Sequence, residues 1–209
     1  MRTEIAGLYA ITPEEADTSR LLDQVGRALS GGARLVQYRS KASPASLKSA
    51  QVRALLALCR PAGVPLIVND DLALALECGA DGLHLGRGDG DLAAARRALG
   101  AKALLGASCY GELALAERAV ELGADHVAFG SVFGSPTKPA AVRAPLELFA
   151  LARRRLDVPL VAIGGITPEN APQVIAAGAN ALAVISALFD APDAQAAARQ
   201  FSLLFETKS

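Results

Sequence analysis

The chain has 209 residues, 52% of them hydrophobic, only 4% aromatic and none tryptophan, a length that suits one domain around a sizeable core. Lysine plus arginine balances aspartate plus glutamate at 21 each, so bulk charge offers nothing to a nucleic acid or a membrane, and any anion site must be local. Cys59, Cys78 and Cys109 are odd in number and lack metal-site spacing; with no basic-then-apolar leader and no apolar run near the roughly 18 residues of a membrane helix, the expectation is a cytoplasmic protein.

The sequence predicts eight strand–helix pairs. The strands fall near 5–11, 33–39, 64–69, 81–85, 103–107, 125–130, 159–163 and 181–185. The helices fall near 17–30, 44–60, 71–78, 90–99, 111–122, 145–156, 168–177 and 192–205. Four times a helical stretch runs into a Gly-Ala step and then an apolar run: at Gly32-Ala33, Gly79-Ala80, Gly123-Ala124 and Gly178-Ala179. Glycine just past a helix can turn left-handed without a Cβ clash, and a strand soon afterwards marks the αβ half of a βαβ unit. Pro44 behind Ser43 and Pro168 behind Thr167 predict proline in a first helical turn with a hydroxyl cap. Pro65 and Pro159, each in a Val-Pro-Leu phrase, suit strand entrances. Eight uninterrupted pairs predict a single (β/α)8 TIM barrel over residues 1–209; a doubly wound sheet is the second choice, because no Gly-x-Gly-x-x-Gly follows the first strand. The longest stretch without predicted structure is Ser131–Ala144, and loops of that length are often functional.

In such a barrel the chemistry collects where strands end. The second strand ends in Gln37-Tyr38-Arg39-Ser40-Lys41. Period-two alternation puts Gln37, Arg39 and Lys41 on one face, an amide and two cations that can trap an anion. The third strand ends in Asn69-Asp70-Asp71, and the loop after the fourth carries Asp89 and Asp91. Asp71 and Asp91 read as helix caps. Asp70 and Asp89 remain on neighbouring mouths, where paired carboxylates facing a phosphate suit Mg²⁺. Ser108, after the fifth strand, reads equally as a ligand donor or as an N-cap. The loop Gly130–Pro139 suits phosphate binding or a plain surface loop. Gly164-Gly165 and Ile185-Ser186 end the last two strands, where backbone N–H groups can hold phosphate. His84 is expected to point into the barrel as a satisfied polar residue. His126 is expected to be structural, Cys109 a buried small hydrophobe, and Arg153-Arg154-Arg155 a solvated helix end.

Jointly, Gln37-x-Arg39-x-Lys41, Asn69-Asp70, His84-Leu85-Gly86 with Asp89, Ser135-Pro136-Thr137-Lys138, Gly164-Gly165-Ile166-Thr167 and Ile185-Ser186 resemble the thiamine phosphate synthase family along essentially the whole chain. The resemblance implies a Mg²⁺-dependent (β/α)8 transferase. It would join 4-amino-2-methyl-5-hydroxymethylpyrimidine diphosphate to a thiazole phosphate, releasing diphosphate. On that resemblance Gln37, Tyr38, Arg39, Ser40 and Lys41 would contact the pyrimidine and its diphosphate, with Asn69 and Lys138 completing the pocket. Asp70 and Asp89 would hold Mg²⁺, and Ser108 would lie beside the pyrimidine. Ser135, Pro136, Thr137, Gly165, Ile185 and Ser186 would bind the thiazole phosphate. Arg39, Lys41, Lys138 and Ser108 would carry the catalytic load, with small molecules as the partners and a homodimer compatible. One departure is Arg87, where the family commonly has glutamine, a cation beside the proposed metal ligand. A thiazole tautomerase-like barrel would not need the Arg39, Lys41, Asp70, Asp89 and Lys138 ensemble. A non-catalytic phosphate-ligand binder would have no reason to pair metal carboxylates.

Overall fold

The computed structural model describes residues 5–134 and 143–206. Along the chain these form β1 (Gly7–Ile11), α1 (Thr18–Ser30), β2 (Leu35–Tyr38), α2 (Ala45–Cys59), β3 (Leu66–Asn69), α3 (Leu72–Cys78), β4 (Gly82–Leu85) and α4 (Leu92–Leu99). There follow β5 (Leu104–Tyr110), α5 (Leu113–Glu121), β6 (His126–Phe129), α6 (Glu147–Arg153), β7 (Leu160–Ile163), α7 (Ala171–Ala176), β8 (Ala181–Val184), α8 (Ser186–Phe189) and α9 (Ala194–Glu206). The strands close in sequence order, β8 pairing back on β1, and every pairing is parallel. This is the predicted (β/α)8 TIM barrel.

Alternation along each strand separates two apolar layers. Tyr9, Ile11, Leu35, Ile67, Leu104, Ala128, Val161, Ala181 and Ala183 fill the interior of the barrel. Their neighbours, such as Leu8, Val36, Val68, Leu83, Val127 and Leu182, meet the helices in a larger outer layer, each large side chain contributing about 1.5–3 kcal/mol by burial.

The four Gly-Ala steps are four copies of one turn. At each, the glycine N–H bonds to the carbonyl three residues back and the alanine N–H to the carbonyl five back, as in Gly79→Leu76 (3.2 Å) with Ala80→Ala75 (2.9 Å) and Gly123→Val120 (2.9 Å) with Ala124→Ala119 (2.9 Å). That double bond closes a helix only if the glycine is left-handed, and all four have φ between 65° and 117°. The next residue ties the new strand to the old one. The side chains of Asp81, Asp125 and Asn180 accept the N–H of Leu66 (2.9 Å), Leu105 (2.8 Å) and Leu160 (2.9 Å). These turns precede β2, β4, β6 and β8, and Gly63 (φ 68°) makes the same pair of bonds ahead of β3, its N–H to the Arg60 carbonyl (3.0 Å) and the Val64 N–H to the Cys59 carbonyl (3.1 Å).

Several local expectations are corrected. Pro44 is itself the N-cap of α2, with no side-chain cap bond, so Ser43 does not cap it. Pro168 sits in a turn ahead of α7, whose N-cap is Asn170; the Asn170 side chain instead holds the Thr167 N–H and the Gly165 carbonyl, each at 2.9 Å. β5 runs on to Tyr110 through a bulge after Ser108. The short α8 has no predicted counterpart, since four residues are too few to show a helical period.

Asp125 carries more than its sister clamps, because it also pairs with Arg96, which in turn holds the carbonyls of Gly100, Ala103 and Gly123. Both side chains are largely buried, so removing the carboxylate strands a guanidinium. Asp125→Ala is expected to cost about 3 kcal/mol in urea unfolding, against about 1 kcal/mol for Asp81→Ala. Equal losses would show that the Arg96 pair adds nothing.

Candidate active site

The mouth at the carboxyl ends of the strands gathers most of the predicted residues. Gln37 points inward, only 3% exposed, and its Nε2 donates to the Tyr9 hydroxyl (2.9 Å). Arg39 follows two residues on, its N–H held by Thr12 Oγ1 at 2.9 Å. Lys41 is exposed and reaches toward β3, its Nζ 3.8 Å from Asp70 Oδ2. Tyr38 alternates the other way: it is buried against α2 and donates to Gln51 Oε1 (2.8 Å), burial pushing its phenol up to about 12. Its ring nevertheless edges a cleft of about 390 Å³ shared with Ser40, Lys41, Lys48, Asn69 and Asp70.

Sequence reasoning misses Glu14. Its carboxylate accepts the Ser40 hydroxyl and the N–H groups of Lys41 (2.8 Å) and Ala42 (3.1 Å), fastening the cationic turn to the end of β1. Burial works against its charge, but the bonds from Ser40, Lys41 and Ala42 outweigh it and hold the carboxyl below its ordinary value. Its place just after the first strand is the only signal in the sequence, and nothing nearby points to a partner more than 25 residues away.

Asp70 and Asp89 meet across the β3 and β4 mouths. Burial, then a shared hydrogen bond with Asp89 and that group's charge, raise the Asp70 carboxyl; Lys41 and Asn69 only partly offset this. Asp70 stands at φ 65°, a left-handed conformation that aspartate tolerates better than most residues, and its N–H still bonds to the His84 carbonyl (2.9 Å). Asp89 Oδ2 accepts the Gly86 N–H (2.9 Å). Asp71 and Asp91 cap α3 and α4 as expected. Among the described residues no group of three or more His, Cys, Asp or Glu could hold a metal. Two facing carboxylates are the donor set of a cation that takes its other oxygens from substrate and water, which fits Mg²⁺. Arg87 does not crowd them: it pairs with Glu112 and lies 5.2 Å from the centre of the Tyr110 ring.

Ser108 is half-buried on β5 and its Oγ lies 2.9 Å from His84 Nε2. His84 does point into the barrel, but it is only half satisfied, because Nδ1 has no partner. His126 is wholly buried beside it, ring centres 5.7 Å apart, with neither ring nitrogen bonded. Cys109 is buried and burial pushes its thiol up to about 12, an inert group as expected.

At β7, Gly164 and Gly165 lie against the β6 loop. A Cβ on Gly165 would come within 2.6 Å of the Gly134 carbonyl and 2.9 Å of Phe133 Cβ, and Val132 and Phe133 bond to Ile163 and Gly164 across this seam. Ile185 caps α8 and Ser186, exposed, begins it. Ser135, Pro136, Thr137 and Lys138 lie outside the described residues.

The comparisons with known proteins agree with this fold. The family model for thiamine monophosphate synthase matches residues 8–188. The chain is 61% identical to the thiamine-phosphate synthase of Aromatoleum aromaticum, covering 98% of each chain. It is 56% identical to that of Thiobacillus denitrificans, over 98% of this chain and 97% of the other. Among solved structures, the thiamine phosphate pyrophosphorylase of Pyrococcus furiosus superposes with a TM-score of 0.86 at 33% identity, over 97% of this chain and 96% of that one.

The buried imidazoles make stability depend on pH. Burial holds His84 down to about 4 and His126 to about 3, whereas both take up protons near 6.5 once unfolded. The unfolded state therefore binds more protons below 6.5, and stability falls as pH drops from there toward 4. At about 1.4 kcal/mol per pH unit for each group, His126→Phe should lose about 3 kcal/mol less than the parent between pH 7 and 4 in urea titrations. Parallel curves would refute the assignment.

Proposed function

Since the chain belongs to the thiamine monophosphate synthase family and is a transferase of thiamine biosynthesis, we propose that this mouth joins the pyrimidine diphosphate to the thiazole phosphate. The observation that carries this reading is the cationic Arg39–Lys41 turn standing beside the Asp70–Asp89 pair, with Lys41 3.8 Å from Asp70. A tautomerase has no use for that combination.

In this reading Asp70 and Asp89 hold Mg²⁺, which supplies charge neutralisation at the diphosphate. Arg39 grips the diphosphate through its planar fork and Lys41 as a point charge, with Lys138 added from the β6 loop. Gln37 and Asn69 meet the pyrimidine at the end of β2 and β3, and Ser108 meets it from β5. The leaving group departs as its charge is stabilised, the pyrimidine amino group stabilises the cation left behind, and the thiazole nitrogen attacks. The thiazole phosphate sits against Gly165, Ile185 and Ser186, with Ser135, Pro136 and Thr137. Tyr38, turned to α2, contributes packing. No strong nucleophile or general base is required, and catalysis is electrostatics and positioning.

The test is to supply both substrates and Mg²⁺ and to measure diphosphate and thiamine phosphate. Asp70→Asn and Lys41→Ala should each lower turnover by about 10²-fold or more while the unfolding midpoint moves little. A parent protein that binds the thiazole phosphate but makes no product would overturn the synthase reading, and unchanged variants would overturn these two roles.

A further inference from the structure

Beneath the mouth lies a polar layer that the reaction, as described, does not use. The register of β4, β5 and β6 sets His84, Gly106 and His126 side by side. All three face the interior, and a Cβ on Gly106 would collide with both rings, against His126 Nε2 and His84 Nδ1. Glycine is therefore what allows two imidazoles to converge there.

We propose that His84 is a positioning residue for Ser108: its Nε2–H donates to Ser108 Oγ, so that the serine proton is presented to the pocket as a donor to a ring nitrogen of the pyrimidine. This rests on the reading of the mouth as the pyrimidine pocket.

A neutral imidazole carries one N–H. On Nδ1 that proton would be a buried donor with no partner, since His84 Nδ1 bonds to nothing, and orphaned buried N–H groups are rare. It would also face His126 Nε2 across Gly106. On Nε2 the proton lies 2.9 Å from Ser108 Oγ. Nδ1 is then a lone pair without a partner, which a buried site tolerates better than an unpaired N–H. The bond runs from His84 to Ser108. Having accepted from His84, Ser108 must send its proton elsewhere; its side chain has no other hydrogen bond among the described residues. A ring nitrogen with a free lone pair fits that donor, and an amino group in its place does not.

The decisive measurement is ¹⁵N NMR of the substrate-free protein labelled at histidine. His84 should show a protonated Nε2 and an unprotonated Nδ1; the reverse tautomer overturns the proposal. Kinetics then tests the consequence. Ser108→Ala and His84→Leu should each raise KM for the pyrimidine diphosphate by about tenfold and leave KM for the thiazole phosphate alone. The double variant should be no worse than either single change, because both remove one hydrogen bond. His84→Gln, which keeps an N–H donor, should recover most of the loss and serves if His84→Leu does not fold. Additive losses, or equal effects on both substrates, would mean that His84 only supports the fold. A parent protein without synthase turnover would remove the pyrimidine half of the proposal, while the tautomer would still decide the polarity of the His84–Ser108 bond.

Discussion

Closure of the parallel sheet is the constraint on which everything else depends. Because β8 returns to β1 in register, every strand has two neighbours and no edge is left to protect. All eight carboxyl ends then open on one mouth, which brings Lys41 to Asp70 and Asp70 to Asp89 although they belong to three successive strand–helix units. The four Gly-Ala turns, three of them followed by an Asp or Asn clamp, make that closure reproducible. They sit at the opposite end of the barrel, so the residues that hold the ring together are free of the chemistry.

The division also explains what could be read from the sequence. Elements with a strong local period or a stop signal were legible: the eight strands, the eight helices that follow them other than the short α8, and the left-handed glycines ending α1 and α3. The strip Gln37, Arg39 and Lys41 was legible too, since alternation needs only the strand. What failed depended on particular side-chain hydrogen bonds, near or far in sequence, that neither periodicity nor a stop signal announces. Thr167 and Pro168 look like a helix start, but Asn170 takes both the Thr167 N–H and the Gly165 carbonyl and delays α7. Glu14 is indistinguishable from any surface acid until the Ser40–Ala42 turn folds onto it. Tyr38 sits between two site residues in the sequence, yet the same alternation that faces them inward turns it to Gln51.

The interior is a compromise between stability and polarity. An aliphatic layer at the level of His84 and His126 would be cheaper, because burying polar rings with unpartnered nitrogens costs free energy. The barrel accepts that cost along one stretch of its wall, where His84, Gly106 and His126 stand side by side, while Ile67, Leu104 and Val161 line other parts of the interior. Tyr9 and His84 occupy equivalent places in the arrangement. Each is buried, each bonds to one mouth-facing polar group, Gln37 in one case and Ser108 in the other. A side chain that spends one polar atom on a buried partner offers only the remainder to a ligand, so the polarity of the pocket is set from beneath.

Charge at the mouth is arranged on the same principle. The carboxylates Glu14, Asp70 and Asp89 stand with the cations Arg39 and Lys41, and their roles separate by what they touch. Glu14 is consumed by the backbone of the cationic turn, so it positions Lys41 without reaching the cleft. Asp70 and Asp89 are left facing each other, and burial first, then the hydrogen bond and charge of Asp89, raise the Asp70 carboxyl against the pull of Lys41. A diphosphate approaching such a mouth meets anions as well as cations. The proposed divalent ion removes that conflict, because it is attracted by the carboxylates and the diphosphate at once. On the proposed reading a chain with no net charge can bind a polyanion: the attraction would be assembled locally, by the ends of three strands, and completed by the ion rather than by an excess of basic residues.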